Sequence, residues 1–172
     1  MSNLKPMIYV ACLAAYNNGY LHGEWIDADQ DADSLHEEVK TILSLSPIQP
    51  SEEWGIHDFE GFGDVAIQEY TGLETVAEIA KFVVEHDELG AAVLAHVNND
   101  IEEAVELLED CYHGEHDSFD AFAYYWTHEV DGREIPDHLQ YYIDYTAMAR
   151  DYFISDFFSI EVGRKVHVFS QR

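Results

Sequence analysis

The chain has 172 residues, of which 35 are Asp or Glu and only 8 are Lys or Arg, so its formal net charge is −27. This charge excludes bare nucleic acid and anionic membranes as partners, because like charges repel. An apolar content of 47%, with 11 Tyr and 9 Phe, excludes a disordered acidic tail and allows a packed core.

Cysteine usage and the first residues of the chain indicate a cytoplasmic protein. Cys12 and Cys111 are far apart and show no CxxC or Cys/His metal spacing, which is typical of free thiols in a reducing compartment. The apolar run Met7–Leu13 is too short for a signal-peptide core plus a membrane span. We therefore expect an untargeted protein in the cytoplasm.

The first part of the chain has the pattern of a β-β-α-β unit. Three β-rich segments are predicted as strands: Met7–Leu13, Tyr20–Ile26 and Trp54–Phe59. The first two flank a turn at residues 16–19 and are expected to pair as a hairpin. A helix is predicted to begin at Asp33 or Ser34, with Glu37 completing a capping box after Ser34, and to run to about Leu45.

The rest of the chain has the pattern of several helices followed by a β-hairpin. The predicted helices are residues 73–86, 89–97, 100–112, 118–130 and 138–152. Thr71 and Ser118 are expected to cap the first and fourth of these helices, and Gly114 is expected to stop the third. Two alternating segments joined by Gly163-Arg164 predict a closing hairpin: Phe157–Val162 and Lys165–Phe169. This order predicts an α+β fold rather than a doubly wound sheet.

The helix predicted from Asp100 to Tyr112 has one acidic side and one apolar side. At about 100° per residue, five carboxylates fall within an arc of about 120°: Glu102, Glu103, Glu106, Glu109 and Asp110. Like charges three or four positions apart destabilise a helix, yet the chain has no Lys or Arg between Phe82 and Gly132. The same sign continues at Glu115, Asp117, Asp120, Glu129 and Asp131. We therefore predict a functional acidic surface rather than an ordinary solvated helix face.

Eight of these carboxylates are the candidate partner-binding residues, and we call residues 102–120 the acidic segment. They are Glu102, Glu103, Glu106, Glu109, Asp110, Glu115, Asp117 and Asp120. Duplex DNA carries about one negative charge per 1.7 Å of its axis, so the whole net charge corresponds at most to about 46 Å, or about 13 to 14 base pairs. That is the scale of a DNA-binding protein's footprint, and a dimer would match about twice that length.

Several long blocks of the sequence resemble the ArdA-type antirestriction proteins. The blocks are IYVACLAAYNNGYLHGEWIDA, EEWGIHDFEGFGD, LLEDCYHGEHDSFDAFA, YYIDYTAMARD and a closing VHVF. They lie in the order that the family has and extend over nearly the whole chain. One departure is His116, since an apolar or aromatic residue is expected at that position.

This resemblance implies an elongated, dimeric protein of mobile genetic elements with three lobes. We expect an N-terminal α/β lobe over residues 1–62, a central helical lobe over 63–113, and C-terminal helices with a β-hairpin over 114–172. The resemblance further implies that the acidic surface mimics bent B-form DNA and occupies the DNA groove of type I restriction-modification enzymes. The acidic antirestriction segment of the family corresponds to about Ala104–Asp117.

The family dimerises through its C-terminal part, which makes an aromatic group in that part a candidate for the dimer contact. These aromatic residues are Phe119, Phe122, Tyr124, Tyr125 and Trp126, and packing in an internal core is the alternative role for them. We expect a homodimer whose partner is the restriction-modification enzyme.

Three other interpretations of the charge or of single motifs stay open. Asp27, Asp29, Asp31 and Glu38 fit a calcium loop, although Ala32 replaces the required Gly. A halophilic protein would share the charge, but its stability should collapse at low salt. His113-x-x-His116 lacks a third ligand, and the chain has no nucleophile elbow or nucleotide-binding motif. We therefore expect no metal site, no cofactor and no catalytic residue.

Overall fold

A computed structural model describes residues 3–172, which form two compact units divided between Ala104 and Val105. Each unit contains a three-stranded antiparallel sheet together with helices. The α+β fold class is therefore confirmed. The expected division into three lobes, at residues 1–62, 63–113 and 114–172, stays a prediction.

The sheet of the first unit contains the three strands predicted there. They are β1 (Met7–Cys12), β2 (Gly23–Asp27) and β3 (Trp54–Glu60), in the order β2-β1-β3. The predicted pairing of the first two strands is confirmed. The connection between them is not a simple turn, because Leu13–Asn17 forms a short helix, α1, before Gly19 reverses the chain at a φ of 82°.

Helix α2 (Ala32–Ser44) begins earlier than the sequence predicts, and the expected capping box is wrong. The Asp31 carboxylate caps the helix by accepting the backbone N–H of Ser34 at 2.8 Å. Glu37 instead accepts a hydrogen bond from Lys40, three residues further along the helix. An ionised carboxylate is a strong acceptor at a helix N-terminus, so Asp31 caps the helix three residues before Ser34.

Helix α3 (Leu73–His96) contains a sharp bend at Asp87, whose φ of 56° and ψ of −156° are not helical. The two helical runs on either side of the bend correspond to the two helices predicted over 73–86 and 89–97. Thr71 is not the cap that the sequence predicts. The helix follows Gly72 without a side-chain cap, and the Thr71 hydroxyl accepts the backbone N–H of Gln68.

Helix α4 (Ile101–Glu106) is followed directly by a π-helical turn, Leu107–Cys111, and then by a strand, β4 (Tyr112–His116). The helical run therefore ends at Cys111, one residue before the predicted end at Tyr112, but the prediction that Gly114 stops it is wrong. Gly114 instead lies inside β4 with a φ of 92°, where the pairing of β4 shifts register between Tyr112 and Glu115. Such a shift is accommodated by a residue that tolerates positive φ.

The second unit closes with the predicted hairpin, formed by β5 (Phe157–Val162) and β6 (Lys165–Ser170). The strand order is β4-β6-β5, so β6 is central. Four residues form the buried core beneath this sheet: Phe122, Phe157, Val166 and Val168.

The helices of the second unit differ in part from the prediction. Ser118 caps α5 (Phe119–Tyr125) as expected, and a π-helical turn, Trp126–Val130, continues it. The single helix predicted over 138–152 is wrong. A 3₁₀ helix over residues 137–142 ends at Ile143, whose backbone is extended, and Asp144 caps a new helix, α6 (Tyr145–Ser155). No helix in residues 3–172 is long and apolar enough to cross a membrane.

Candidate partner-binding surface

The carboxylates of the helical part of the acidic segment all point into solvent. Glu102 and Glu103 in α4, Glu106 at its end, and Glu109 and Asp110 in the π-helical turn are exposed. The intervening residues Ala104, Leu107 and Cys111 are buried, while Ile101, Val105 and Leu108 are partly buried. The separation into an acidic and an apolar side, predicted from helical periodicity, is therefore present.

The remaining three candidates follow on different elements. Glu115 lies in β4, Asp117 follows that strand, and Asp120 lies in the first turn of α5. All three side chains are exposed. A carboxylate in the first turn of a helix interacts favourably with the helix dipole, as Asp120 does in α5. The acidic segment thus presents its eight carboxylates from a helix, a π turn, a strand, the connection after that strand and a second helix.

Three of the eight carboxylates already have partners within the second unit, which the sequence did not reveal. Arg172 Nη2 donates to Glu106 Oε2 at 2.6 Å, and Thr146 Oγ1 donates to Asp120 Oδ2 at 2.6 Å. Lys165 forms an ion pair with Asp117, and its ammonium group holds the pKa of the Asp117 carboxyl below the usual value. Because the chain has only 8 Lys and Arg, most carboxylates cannot find a cation, but the particular pairs depend on the fold.

The other five candidates form no ion pair within residues 3–172. They are Glu102, Glu103, Glu109, Asp110 and Glu115. An exposed ionised carboxylate has two oxygens that can accept hydrogen bonds from arginine or lysine side chains. Chemically, this arrangement can bind a basic surface, and it offers that surface several acceptors along 19 residues of chain.

Strand β4, which contains Glu115, packs against aromatic residues of the second unit. The His113 ring makes edge-on contacts with Trp126 and Phe157 at centroid distances of 5.1 and 5.5 Å. Its Nε2 is buried without a hydrogen-bond partner among the described residues. Burial lowers the pKa of His113, because a charged imidazolium would lose its hydration there. His113 therefore acts as an uncharged packing residue that joins β4 to these aromatic side chains.

His116, the departure from the resemblance, also packs as an aromatic residue. Its ring lies 5.1 Å from both Phe122 and Tyr125, and its Nε2 lies 3.0 Å from the carbonyl oxygen of His113. The imidazole thus fills the place where an aromatic residue is expected and adds a hydrogen bond to β4.

The aromatic residues named for the dimer contact occupy different environments. Phe122 is fully buried in the core of the second unit, the alternative role left open by the sequence, and Trp126 packs against that core. Phe119 and Tyr125 are each 39% exposed, and Tyr124 is 53% exposed. Only these three offer a substantial surface to a second chain, and the dimer contact stays a prediction.

The residues of the calcium-like motif serve local structure. Asp27 Oδ1 accepts the backbone N–H of Asp29, Asp31 caps α2, and Glu38 accepts a hydrogen bond from Gln30. Within residues 3–172, no group of three or more His, Cys, Asp or Glu side chains is arranged to hold a metal ion.

Comparison with known proteins assigns the family. A family model described as "Antirestriction protein (ArdA)" matches residues 8–166. A comparison with curated proteins found no match. The family match includes the sheet of the first unit, the acidic segment and α5 and α6. The chain therefore belongs to the ArdA family of antirestriction proteins.

Proposed function

We propose that this protein inhibits type I restriction-modification enzymes by occupying their DNA-binding groove as a mimic of B-form DNA. Membership of the ArdA family gives the antirestriction function and interaction with restriction-modification enzymes in general. The class of enzyme and the mode of inhibition are the proposal. It is carried by one observation: eight exposed carboxylates lie in the acidic segment, inside a 51-residue stretch without Lys or Arg.

The proposal requires no chemistry from the protein. A groove that binds DNA presents lysine and arginine side chains at the spacing of phosphates, and carboxylates can accept hydrogen bonds from the same groups. Affinity is then distributed over many carboxylates, so that neutralising one of them costs little. The enzyme is inhibited because its groove is filled, and the incoming DNA stays uncut.

The electrostatic cost of the acidic segment supports a functional role. Glu102 and Glu106 are like charges four positions apart in α4, and such a pair destabilises an isolated helix by about 0.2–0.5 kcal/mol. A lysine at any of these exposed positions would relieve the repulsion without loss of helix propensity. A basic partner surface compensates for this cost when it binds, whereas solvent alone does not.

The protein is further proposed to act as a homodimer in the cytoplasm, where restriction enzymes meet incoming DNA. The exposed Phe119, Tyr124 and Tyr125 are the candidate contact residues in the second unit. A dimer would extend the acidic surface beyond the length that one chain covers, and so match a longer piece of duplex.

The role of the acidic segment is tested by inhibition of DNA cleavage by a type I restriction enzyme. One variant neutralises Glu102, Glu106, Glu109 and Asp110 as Gln, Gln, Gln and Asn. The matched control makes the same change in charge at exposed residues outside the acidic segment that form no ion pair in residues 3–172: Glu52, Glu53, Asp64 and Glu88.

We expect the first variant to need at least about tenfold more protein for half-inhibition, while the control stays within about twofold of the parent, because four charge-assisted contacts are lost only in the first. An equal loss of inhibition in both variants would mean that net charge alone matters and that the acidic segment has no special role.

A further inference from the structure

The sheet of the first unit has one face covered by its own core and one face that is open. On the covered face lie Ile8, Val10 and Ile26, which are all buried. Side chains alternate between the two faces of a strand, so the neighbouring residues point the other way. Six of the residues that the register places on this open face form what we call the outer face: Met7, Tyr9, Trp25, Asp27, Asp58 and Glu60.

Two aromatic rings form the centre of the outer face. Tyr9 in the central strand is paired with Trp25 in the neighbouring strand, and their rings meet at 5.7 Å with an angle of 60°. Trp25 is 41% exposed, although a tryptophan buries more apolar surface than any other residue when it packs. The pair therefore offers a fixed aromatic surface to solvent on a rigid sheet.

Gly23 leaves room for the tyrosine ring. A Cβ atom at position 23 would lie 2.9 Å from Cζ and Oη of Tyr9 and 2.4 Å from the carbonyl oxygen of Val10. Any other residue at position 23 would displace the Tyr9 ring or the strand. The ring thus lies along the sheet over Gly23, a position that only glycine allows.

Three exposed carboxylates accompany the aromatic pair. Asp58 in β3 is paired with Tyr9 on the edge of β1 opposite Trp25. Asp27 in β2 and Glu60 in β3 are both paired with Met7. None of the three forms an ion pair within residues 3–172, and the exposed Lys5, two residues before β1, is the nearest cation in sequence. The outer face therefore combines a π surface with negative charge.

We infer that the outer face is a second docking surface, which binds an arginine-bearing segment of a partner protein. A guanidinium group stacks on tryptophan and tyrosine rings and also donates two hydrogen bonds to a carboxylate, whereas a lysine ammonium is a compact, strongly hydrated charge. Nucleic acid is repelled by the three carboxylates, and so is a second copy of the same face. The surface shares no residue with the acidic segment, so its test is independent of the proposed DNA mimicry.

The test compares an octamer of arginine with an octamer of lysine as probes for the full-length protein. Both peptides bind an acidic protein through charge, so the informative quantity is the ratio of their dissociation constants, measured by calorimetry. Amide and indole NMR signals report where each peptide lies. Far-ultraviolet circular dichroism checks that every variant is folded. Because Trp25 is partly exposed, we expect its replacement to leave the fold intact.

We expect the arginine peptide to shift the indole signal of Trp25 and to bind about fivefold or more tightly than the lysine peptide, as a cation–π contact predicts. Trp25→Ser should abolish this preference, while Trp25→Tyr should keep most of it. Asp58→Asn with Glu60→Gln should weaken the arginine peptide more than the matched pair Glu52→Gln with Glu53→Gln.

Two results would overturn the inference. One is a preference for arginine that survives Trp25→Ser unchanged. The other is an indole signal of Trp25 that does not move at saturating peptide. Either result would show that the acidic protein binds basic peptides without using the outer face.

Discussion

The guanidinium group of Arg172 lies 2.6 Å from the Glu106 carboxylate, although the two residues are 66 positions apart in sequence. Both side chains are about half exposed. The chain thus neutralises one of its own candidate DNA-mimicking carboxylates with one of its few cations. Arg172 therefore competes with a basic partner for Glu106.

Arg172→Gln is therefore expected to strengthen binding to a type I restriction enzyme at low salt by a factor of about two to five, because Glu106 becomes free without loss of the surface. The measurement is the dissociation constant of the complex. Arg164→Gln is the matched control, since this exposed arginine of the hairpin turn has no ion pair in residues 3–172. If both variants gain equally, the effect comes from net charge and not from the freed carboxylate.

The Lys165–Asp117 pair gives a prediction about titration. The lysine donates to Asp117 and lowers the pKa of that carboxyl, so Lys165→Met should raise the pKa toward the value of an ordinary aspartate. Carboxyl-carbon NMR across a pH series measures this directly. The pair stabilises the fold above the pKa of the unfolded chain, and that contribution is lost as the pH falls through the pKa of the folded state. An unchanged titration of Asp117 in the variant would contradict the pairing.

His113 should make the second unit sensitive to mild acid. Burial lowers its pKa, so below about pH 6.5 the unfolded chain takes up a proton that the folded chain does not, and stability is lost as the pH falls. Burial lowers the pKa of His167 too, so His167 also contributes to the loss of stability as the pH falls.

His113→Phe should remove its share of this loss, since a phenyl ring suits the contacts with Trp126 and Phe157. Urea unfolding at pH 7 and pH 5.5 gives the change for each protein. Acidification also relieves charge repulsion among the carboxylates. The parent and the variant share this effect, so it cancels when their losses of stability are compared. The exposed His138, changed to Phe in the same way, is the control. An identical loss in the parent and in His113→Phe would show that His113 is protonated in the folded protein.

Asp87 holds a backbone conformation that glycine adopts at little cost, with φ 56° and ψ −156° in the bend of α3. Non-glycine residues in such regions carry strain of order 1–3 kcal/mol, whereas glycine adds entropy to the unfolded chain and so opposes part of the gain. Asp87→Gly should raise the free energy of unfolding by about 1 kcal/mol. Asp87→Ala removes the same charge but keeps the strain, so it should give no such gain. A destabilised glycine variant would mean that the Asp87 side chain stabilises the bend.

Local patterns predicted the strands β1, β2, β3, β5 and β6, because alternation and turn residues lie within a few positions of each other. The same reasoning missed β4. Its residues pair with β6, fifty or more positions later, and a short YHGEH segment after an amphipathic helix has no strand pattern of its own. The predicted cap of α2 was wrong for a related reason, since Asp31, Asp33 and Ser34 are all good capping residues and the fold selects Asp31.

The candidate surface shows the same division between local and distant information. Helical periodicity identified the exposed carboxylates correctly, since Glu102, Glu106 and Glu109 all lie opposite buried apolar residues. Periodicity could not reveal that Glu106, Asp117 and Asp120 are partnered, because Arg172, Lys165 and Thr146 approach them only through the fold of the second unit.

The central claim of DNA mimicry is tested most directly by competition between this protein and DNA for a type I methyltransferase. Labelled target DNA bound to the enzyme is titrated with the protein at several salt concentrations. Mimicry predicts complete displacement of the DNA by a stoichiometric excess of the protein, and an affinity that falls steeply as salt rises, as it does for DNA itself. Failure to displace the DNA at any stoichiometry, or a complex that holds DNA and protein together, would contradict it.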